Sequence, residues 1–175
     1  MMAAGGWTVR AGGAGDVDAV LALERGVRGA PHWRREEYAG IVGGGGGVRR
    51  RLVVAEAGAG MVGPGLVGFA VGSVSGLRCE GGGSGGEITG EIENVAVAAG
   101  ARRLGIGRAL CDGVLGWCRG EGAGAVQLEV RSRSSAAIKL YRSLGFAEEG
   151  RRSRYYSEPD DDALLMRLPL PEGTR

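Results

Sequence analysis

The segment from Glu93 to Leu110 constrains the fold more than any other part of this chain. It reads Glu-Asn-Val-Ala-Val, then a basic loop that ends in Gly105-Ile-Gly107, then an apolar-faced stretch from Arg108. This pattern predicts a short strand, a glycine-bearing turn and a helix. Backbone N–H groups at such a turn, next to a helix N-terminus, form an anion site. The segment therefore predicts a strand–loop–helix unit that binds a phosphate-bearing ligand.

Hydrophobic periodicity elsewhere predicts an α/β domain with a mixed sheet, in the order β-α-α-β-β-β-α-β-α-β-β over residues 1–175. Only residues 91–146 alternate strand and helix, as a pair of parallel strands requires. The segments before and after them in the chain are predicted hairpins, so the sheet is expected to be mixed. Three glycine clusters separate apolar runs and are predicted turns: 43–47, 58–65 and 81–86. The clearest predicted strands are 8–10, 51–56, 66–74, 87–97, 125–130 and 163–168, and helices are predicted after Asp16, from Pro31, over 108–120 and after Ser134 or Ser135.

Composition excludes several classes of function. A net charge of +2 does not favour binding to nucleic acid or to an anionic membrane. The three cysteines, Cys79, Cys111 and Cys118, fit free thiols in a reducing compartment, and with no leader-like start we expect a cytoplasmic protein. The only histidine, His32, falls at a predicted helix start, which rules out a histidine-rich metal site. Chemistry must therefore use carboxylates, tyrosines, backbone groups and a cofactor.

Two common phosphate loops fit the glycine turn poorly. A Walker loop needs Gly-Lys-Ser/Thr, which is missing. A dinucleotide loop needs a third small residue where Leu110 stands, and residues 98–104 make a long link from strand to glycine. Glu129 does lie about 20 residues on, as that motif requires, but the loop comes too late in the chain for a doubly wound sheet.

A third interpretation rests on a resemblance. The run Arg102-Arg-Leu-Gly-Ile-Gly107 resembles the Arg/Gln-x-x-Gly-x-Gly/Ala loop with which GNAT N-acetyltransferases hold the pyrophosphate of acetyl-coenzyme A (acetyl-CoA). Leu128-Glu-Val-Arg131 and the stretch 136–146 resemble the strand and helix that complete the cofactor half. The stretches 151–156 and 162–169 resemble the tail of the RimI-like branch, which acetylates protein N-termini.

The resemblance is close over residues 91–170 and extends to residues 1–90 only in element order. It implies the GNAT fold, with six to seven strands, about four helices and a V-shaped splay between the strands at 91–97 and 125–130. It also implies one domain, with an acceptor-side half at 1–90 and an acetyl-CoA-binding half at 91–170.

The resemblance also implies residue roles. Glu129 matches the family's general base, and Tyr141 matches the general acid near the sulfur. Strand and loop backbone would hold the cofactor, and aromatic and polar side chains would border the acceptor. The implied cofactor residues are Val95, Ala96, Val97, Arg102, Arg103, Leu104, Gly105, Ile106, Gly107, Arg108, Ser134 and Tyr141. The implied acceptor residues are Trp33, Glu93, Asn94, Tyr155 and Tyr156.

Some assignments stay open at this point. Glu91 and Glu93 are alternative bases, because family members differ in where the base lies. Ser134 stands where the family usually has an asparagine that reaches the pantetheine amide. Serine has a shorter reach, so this contact is lost or carried by water.

The predicted activity is therefore transfer of an acetyl group from acetyl-CoA to a protein N-terminal α-amine, without a metal. The RimI-like pattern implies the N-terminal alanine of a small-subunit ribosomal protein as acceptor. Two alternatives are a small-molecule amine as acceptor, or a non-catalytic acyl-CoA-binding domain. The sequence does not distinguish a monomer from a homodimer.

Overall fold

A computed structural model describes residues 6–44, 47–59, 61, 65–76 and 87–171. Its elements follow the predicted order, and the prediction of a mixed α/β fold with seven strands and four helices is confirmed. Cys79 and the predicted turn at 81–86 lie outside the described residues. The elements are β1 (Trp7–Ala11), α1 (Val17–Arg25), α2 (Arg35–Gly43), β2 (Arg49–Ala57), β3 (Leu66–Ser75), β4 (Thr89–Val97), α3 (Ile106–Gly120), β5 (Ala125–Arg131), α4 (Ser135–Ser143), β6 (Ala147–Tyr156) and β7 (Asp161–Pro169).

The seven strands form one sheet in the order β1-β2-β3-β4-β5-β7-β6. The β4–β5 pair is parallel, and the other neighbours are antiparallel. Helices cover both faces because apolar side chains alternate along the central strands. One core contains α3 residues such as Leu110 and Val114 together with Ile138 of α4, and the other contains Val20 of α1 and Tyr38 of α2.

The parallel strands β4 and β5 part halfway along β4. They pair from Thr89 opposite Ala125 to Ile92 opposite Leu128. Beyond that point β5 continues to pair with β7 and β4 with β3. The remaining half of β4 therefore faces an opening in the sheet.

A β-bulge lies where the two strands part. Val71 of β3 is opposite Asn94, but Gly72 is opposite Ile92, so Glu93 is an extra residue in β4. A bulge shifts the alternation of side chains by one residue. Ile92 and Val95 therefore both face the α3 core, whereas Asn94 faces the helices α1 and α2.

The C-terminus of α4 confirms the end predicted at Gly145. Gly145 has a φ of +98°, which glycine adopts without a steric penalty. The Phe146 N–H donates to the Tyr141 carbonyl at 3.0 Å and the Gly145 N–H to the Arg142 carbonyl at 3.0 Å, as in a Schellman motif. The Phe146 ring packs edge-on against Tyr141, with ring centroids 5.9 Å apart. This contact fixes the orientation of Tyr141.

The second helix begins four residues later than predicted. The prediction placed its start at Pro31, with His32 in the first turn, but the helix begins at Arg35 and His32 has a left-handed φ of +53°. The Glu37 carboxylate accepts the Arg34 N–H at 2.6 Å, which sets the start of the helix. Just before the helix, the Trp33 backbone N–H donates to the Glu24 carboxylate of α1 at 3.1 Å.

Replacing Gly116 with alanine is expected to raise the free energy of unfolding by about 0.5–1 kcal/mol, because alanine restricts the unfolded chain and suits a helix. Gly116 lies within α3 on its solvent-exposed side, and an added Cβ would meet no atom within 4 Å. Urea denaturation measures the change. Gly113→Ala is the matched control, because its Cβ would lie 3.1 Å from the Val53 side chain and its gain should be smaller. A Gly116→Ala variant no more stable than the parent would contradict this expectation.

Candidate active site

The opening beside β4 exposes backbone groups. The peptide groups of successive residues in a strand point to opposite sides. The Ala98 N–H donates to the Val67 carbonyl of the β3 side at 2.9 Å, so Val95 and Val97 direct their backbone groups to the opposite side. At Val95 and Val97, β5 no longer pairs with β4, because the pairing ends at Ile92. The Arg102 Nε donates to the Val97 carbonyl at 3.3 Å, which ties the basic loop to this edge.

The basic loop leads directly into α3. Arg103 and Gly105 have left-handed φ angles of +67° and +81°, and Gly105 is the N-cap residue. The first helical bond is from the Ala109 N–H to the Gly105 carbonyl, at 3.0 Å. The amides of residues 105–108 therefore have no acceptor within the helix. Together with the positive helix end, these amides fit an anionic group such as a pyrophosphate.

The loop also fixes α3 against α4. An added Cβ on Gly107 would lie 3.4 Å from the Leu140 side chain and 3.8 Å from that of Val97. Arg108 donates to the Ser143 hydroxyl at 3.1 Å. Leu104 is half-exposed at the tip of the loop. The opening is therefore bounded by β4, by the start of α3 and by α4.

A cleft of about 320 Å³ lies over the point where β4 and β5 part. Five of its lining residues were predicted as site residues: Trp33, Glu93, Glu129, Tyr155 and Tyr156. Its remaining lining residues are Arg50, Glu91 and Ile92. The structure thus brings together residues from the α1–α2 loop, β2, β4, β5 and β6.

Glu129 is held by two groups of β6. Its carboxylate pairs with the Arg152 guanidinium at 2.9 Å. The Tyr155 hydroxyl hydrogen-bonds to the same carboxylate, and this bond, together with the negative charge, raises the pKa of Tyr155. Arg152 also lies over the Tyr155 ring, 5.4 Å from its centroid. The proposed base is therefore oriented by an arginine and a tyrosine that the resemblance did not assign to it.

The two alternative bases differ in their surroundings. Glu93, the bulge residue, accepts from Arg50 Nε at 2.8 and 3.1 Å. For Glu91, no ion pair forms within the described residues. Partial desolvation in the cleft raises the pKa of Glu91, and the charges of Glu93 and Glu129 raise it further. A raised pKa suits a base, so Glu91 stays a candidate beside Glu129.

Glu91→Gln is expected to raise the melting temperature at pH 7–8 by roughly 1–2 °C. Glu91 binds its proton more tightly in the folded chain, so the charged form destabilises the fold above the folded pKa. This gain in melting temperature should fade as the pH falls below 4.5, the ordinary pKa of a glutamate, because Glu91 is then protonated in both the folded and the unfolded chain. Thermal denaturation from pH 3.5 to 8 measures it, with Glu148→Gln on β6 as the control for a lost surface charge. A gain that persists at pH 3.5 would disagree with this cause.

Tyr141 lies in the α3–α4 core, 8% exposed, and is not among the cleft-lining residues. Burial raises its pKa, and Cys111 and Tyr156 raise it further. The pKa of Tyr156, which lines the cleft, is raised by burial and by the Glu129 charge.

Asn94 and Ser134, two of the predicted site residues, are not among the cleft-lining residues. Asn94 is buried on the α1–α2 side of β4, where it donates to Glu24 and to the Tyr38 hydroxyl at 2.8 and 3.1 Å. Direct contact of its side chain with an acceptor is therefore not supported. Ser134 is the N-cap residue of α4, but its hydroxyl makes no capping hydrogen bond. That hydroxyl is therefore not engaged in capping the helix.

Sequence reasoning missed three residues around the cleft. Arg152 and Arg50 pair with the cleft carboxylates, and no local pattern identifies either partner. Arg131 donates to the Pro159 carbonyl at 3.1 Å and lies 4.3 Å from the centroid of the Tyr156 ring. In the described ranges no helix is long and apolar enough to cross a membrane, and no group of three metal-ligating side chains occurs.

Comparison with known proteins gives two curated relatives and one solved structure. The [ribosomal protein bS18]-alanine N-acetyltransferase of Escherichia coli K12 is 42% identical over 79 residues, 44% of this chain and 53% of its own length. Streptothricin acetyltransferase of Streptomyces lavendulae is 40% identical over 83 residues, 46% of this chain and 44% of its own length. The chain thus spans about half the length of the curated relatives it matches. The crystal structure of the E. coli ribosomal-protein-S18-alanine N-acetyltransferase matches with a TM-score of 0.71 and 25% identity, over 96% of each chain.

The family model covers the basic loop and the two strands that part, and it ends just before β6. The model of the acetyltransferase (GNAT) family matches residues 30–146, which is more than half of the chain. This range includes Glu129, Tyr141 and the whole of the basic loop. The chain belongs to the GNAT acetyltransferase family.

Proposed function

We propose that this protein transfers the acetyl group of acetyl-CoA to the α-amine of a protein N-terminus. The observation that carries the proposal is the opening between β4 and β5, which places free backbone groups and a helix N-terminus beside a cleft lined by Glu129. The E. coli relative named for alanine N-acetylation of bS18 supports an N-terminal alanine as acceptor.

The residues that fit acetyl-CoA lie along the opening. The amides of residues 105–108 suit the pyrophosphate, and Arg102 and Arg103 add positive charge nearby. The backbone of Val95 and Val97 suits the amides of the pantetheine arm. Ser134 and Tyr141, at the start of α4 and within it, border the side of the opening that lies across from β4. Bound acetyl-CoA supplies an activated acetyl group and a thiolate leaving group.

The chain's own groups would carry the proton transfers. Glu129 takes a proton from the acceptor ammonium, which frees the nitrogen lone pair. A backbone N–H of β4 donates to the developing oxyanion as the N–C bond forms. Tyr141 gives a proton to the leaving sulfur as the C–S bond breaks, the nitrogen loses its second proton to solvent as the amide forms, and Tyr141 regains a proton from solvent. Direct attack needs no covalent enzyme intermediate, and Arg152 and Tyr155 keep Glu129 oriented.

A small-molecule amine is the second candidate acceptor. The observation that favours it is the 40% identity to streptothricin acetyltransferase, which is named for a small molecule. That match covers less than half of this chain and less than half of the relative.

A panel of acceptors tests the proposal. The purified chain is incubated with acetyl-CoA and a peptide that starts with a free alanine, the same peptide with a blocked N-terminus, a polyamine or streptothricin. Thiol release and product mass are measured. We expect acetylation of the free α-amine and none of the blocked peptide. Transfer to the small amines alone would establish the second candidate instead, and tight acetyl-CoA binding without transfer would indicate a non-catalytic domain.

A further inference from the structure

A fully buried carboxylate lies behind the cleft. Glu24, in the last turn of α1, is only 1% exposed. Glutamate is almost never fully buried unless it is paired. Within the described part of the chain no cation pairs with Glu24, and neutral hydrogen-bond donors surround it instead. Its burial therefore needs an explanation.

Three segments donate to this carboxylate. The Trp33 backbone N–H donates to Oε2 at 3.1 Å, and the Asn94 side-chain amide donates to Oε1 at 2.8 Å. The Tyr38 hydroxyl also hydrogen-bonds to Glu24. Asn94 in turn donates to the Tyr38 oxygen at 3.1 Å. Glu24 thus ties together the α1–α2 loop, α2 and β4.

Each of these ties ends beside the cleft. The Trp33 side chain lines the cleft, and its ring packs against Tyr38 with centroids 5.6 Å apart. Asn94 lies between the bulge residue Glu93, which also lines the cleft, and Val95, whose backbone faces the opening. The carboxylate therefore fixes the acceptor wall at Trp33 relative to the strand that borders the opening.

We propose that Glu24 is a positioning residue for the acceptor: it holds Trp33 at a set distance from β4 and so defines the width of the cleft. The inference rests on the proposed function, since it concerns where the acceptor amine binds. A carboxylate suits this task because its two oxygens accept from donors on different segments at once. An apolar residue of similar volume would leave the Trp33 N–H and one N–H of the Asn94 amide without their acceptors.

The first test is Glu24→Gln, which keeps the shape but replaces one acceptor by a donor that faces Asn94. We expect the acceptor KM to rise about tenfold while the acetyl-CoA KM stays within about twofold. The double variant Glu24→Gln/Asn94→Asp restores an amide–carboxylate pair in the reverse sense and should recover most of the loss. Asp18→Asn is the matched control, because it removes a surface ion pair between α1 and α2 (Asp18–Arg35) without touching Glu24.

The second test does not depend on activity. Hydrogen exchange followed by mass spectrometry should show the Trp33 amide in Glu24→Gln exchanging at least about tenfold faster than in the parent or in Asp18→Asn. Tyr38→Phe, which removes a single hydroxyl, serves if Glu24→Gln does not fold, and should raise the acceptor KM about threefold with the acetyl-CoA KM unchanged. If the parent acetylates no amine, the proposed function fails, and exchange at Trp33 still decides whether Glu24 anchors the loop. Parental exchange at Trp33, or equal changes in both KM values, would overturn the inference.

Discussion

Glu129→Gln and Tyr141→Phe are each expected to lower kcat by roughly 10²–10³-fold while leaving the acetyl-CoA KM within about twofold. Glutamine keeps the shape of Glu129 but cannot take a proton from the acceptor ammonium. Phenylalanine keeps the packing of Tyr141 against Phe146 but cannot protonate the leaving sulfur. Neither residue belongs to the loop that would hold the pyrophosphate. Steady-state kinetics with the best acceptor of the panel measures both effects.

The control for Glu129→Gln must account for its ion pair. Arg152→Gln also breaks the Glu129–Arg152 contact but leaves the carboxylate in place, so it should cost far less in kcat than Glu129→Gln. Glu91→Gln tests the other candidate base in the same cleft. A large loss of kcat in Glu91→Gln together with a near-parental rate in Glu129→Gln would transfer the role of base to Glu91. Parental rates in Glu129→Gln and Tyr141→Phe alike would remove both roles.

Local patterns in the sequence were sufficient for the cofactor side. The alternation before the loop, the glycines at 105 and 107 and the apolar face of α3 each depend on near neighbours, and the structure contains the predicted strand, turn and helix there. Gly145 and Phe146 ended α4 as predicted for the same reason. The resemblance added the splay, which appears as the loss of pairing after Ile92.

The α1–α2 side of the cleft depends on contacts between distant segments. The start of α2 was misplaced because the Trp33 backbone N–H donates to Glu24, nine residues earlier. Strand alternation alone would place the Asn94 side chain on the α3 face, together with Ile92. The bulge at Glu93 shifts it to the face covered by α1 and α2. One local signal was present: Glu24 continues the apolar face of Val17, Val20 and Leu21, where a charged residue is unusual. A charged residue on a buried face is the pattern that would have identified it.

Gly105→Asp is expected to raise the acetyl-CoA KM by roughly tenfold to a hundredfold, with kcat at saturation little changed. Gly105 is the N-cap residue of α3, and the free amides of residues 105–108 begin there. An added Cβ would meet only the Trp7 ring, at 3.9 Å, so the position has room for a side chain. An aspartate would place a negative charge beside the pyrophosphate and would compete for the same N–H groups.

Gly105→Asn is the matched control that separates charge from shape. Asparagine and aspartate both tolerate a left-handed φ such as the +81° at Gly105, and both bring the same steric cost. The two variants should therefore lose similar stability, while only aspartate repels the anion. The acetyl-CoA KM of Gly105→Asp should exceed that of Gly105→Asn by about tenfold, and the difference should shrink at high salt. Equal KM values for the two variants would mean that no anionic group binds at the start of α3, and the proposed position of the pyrophosphate would be wrong.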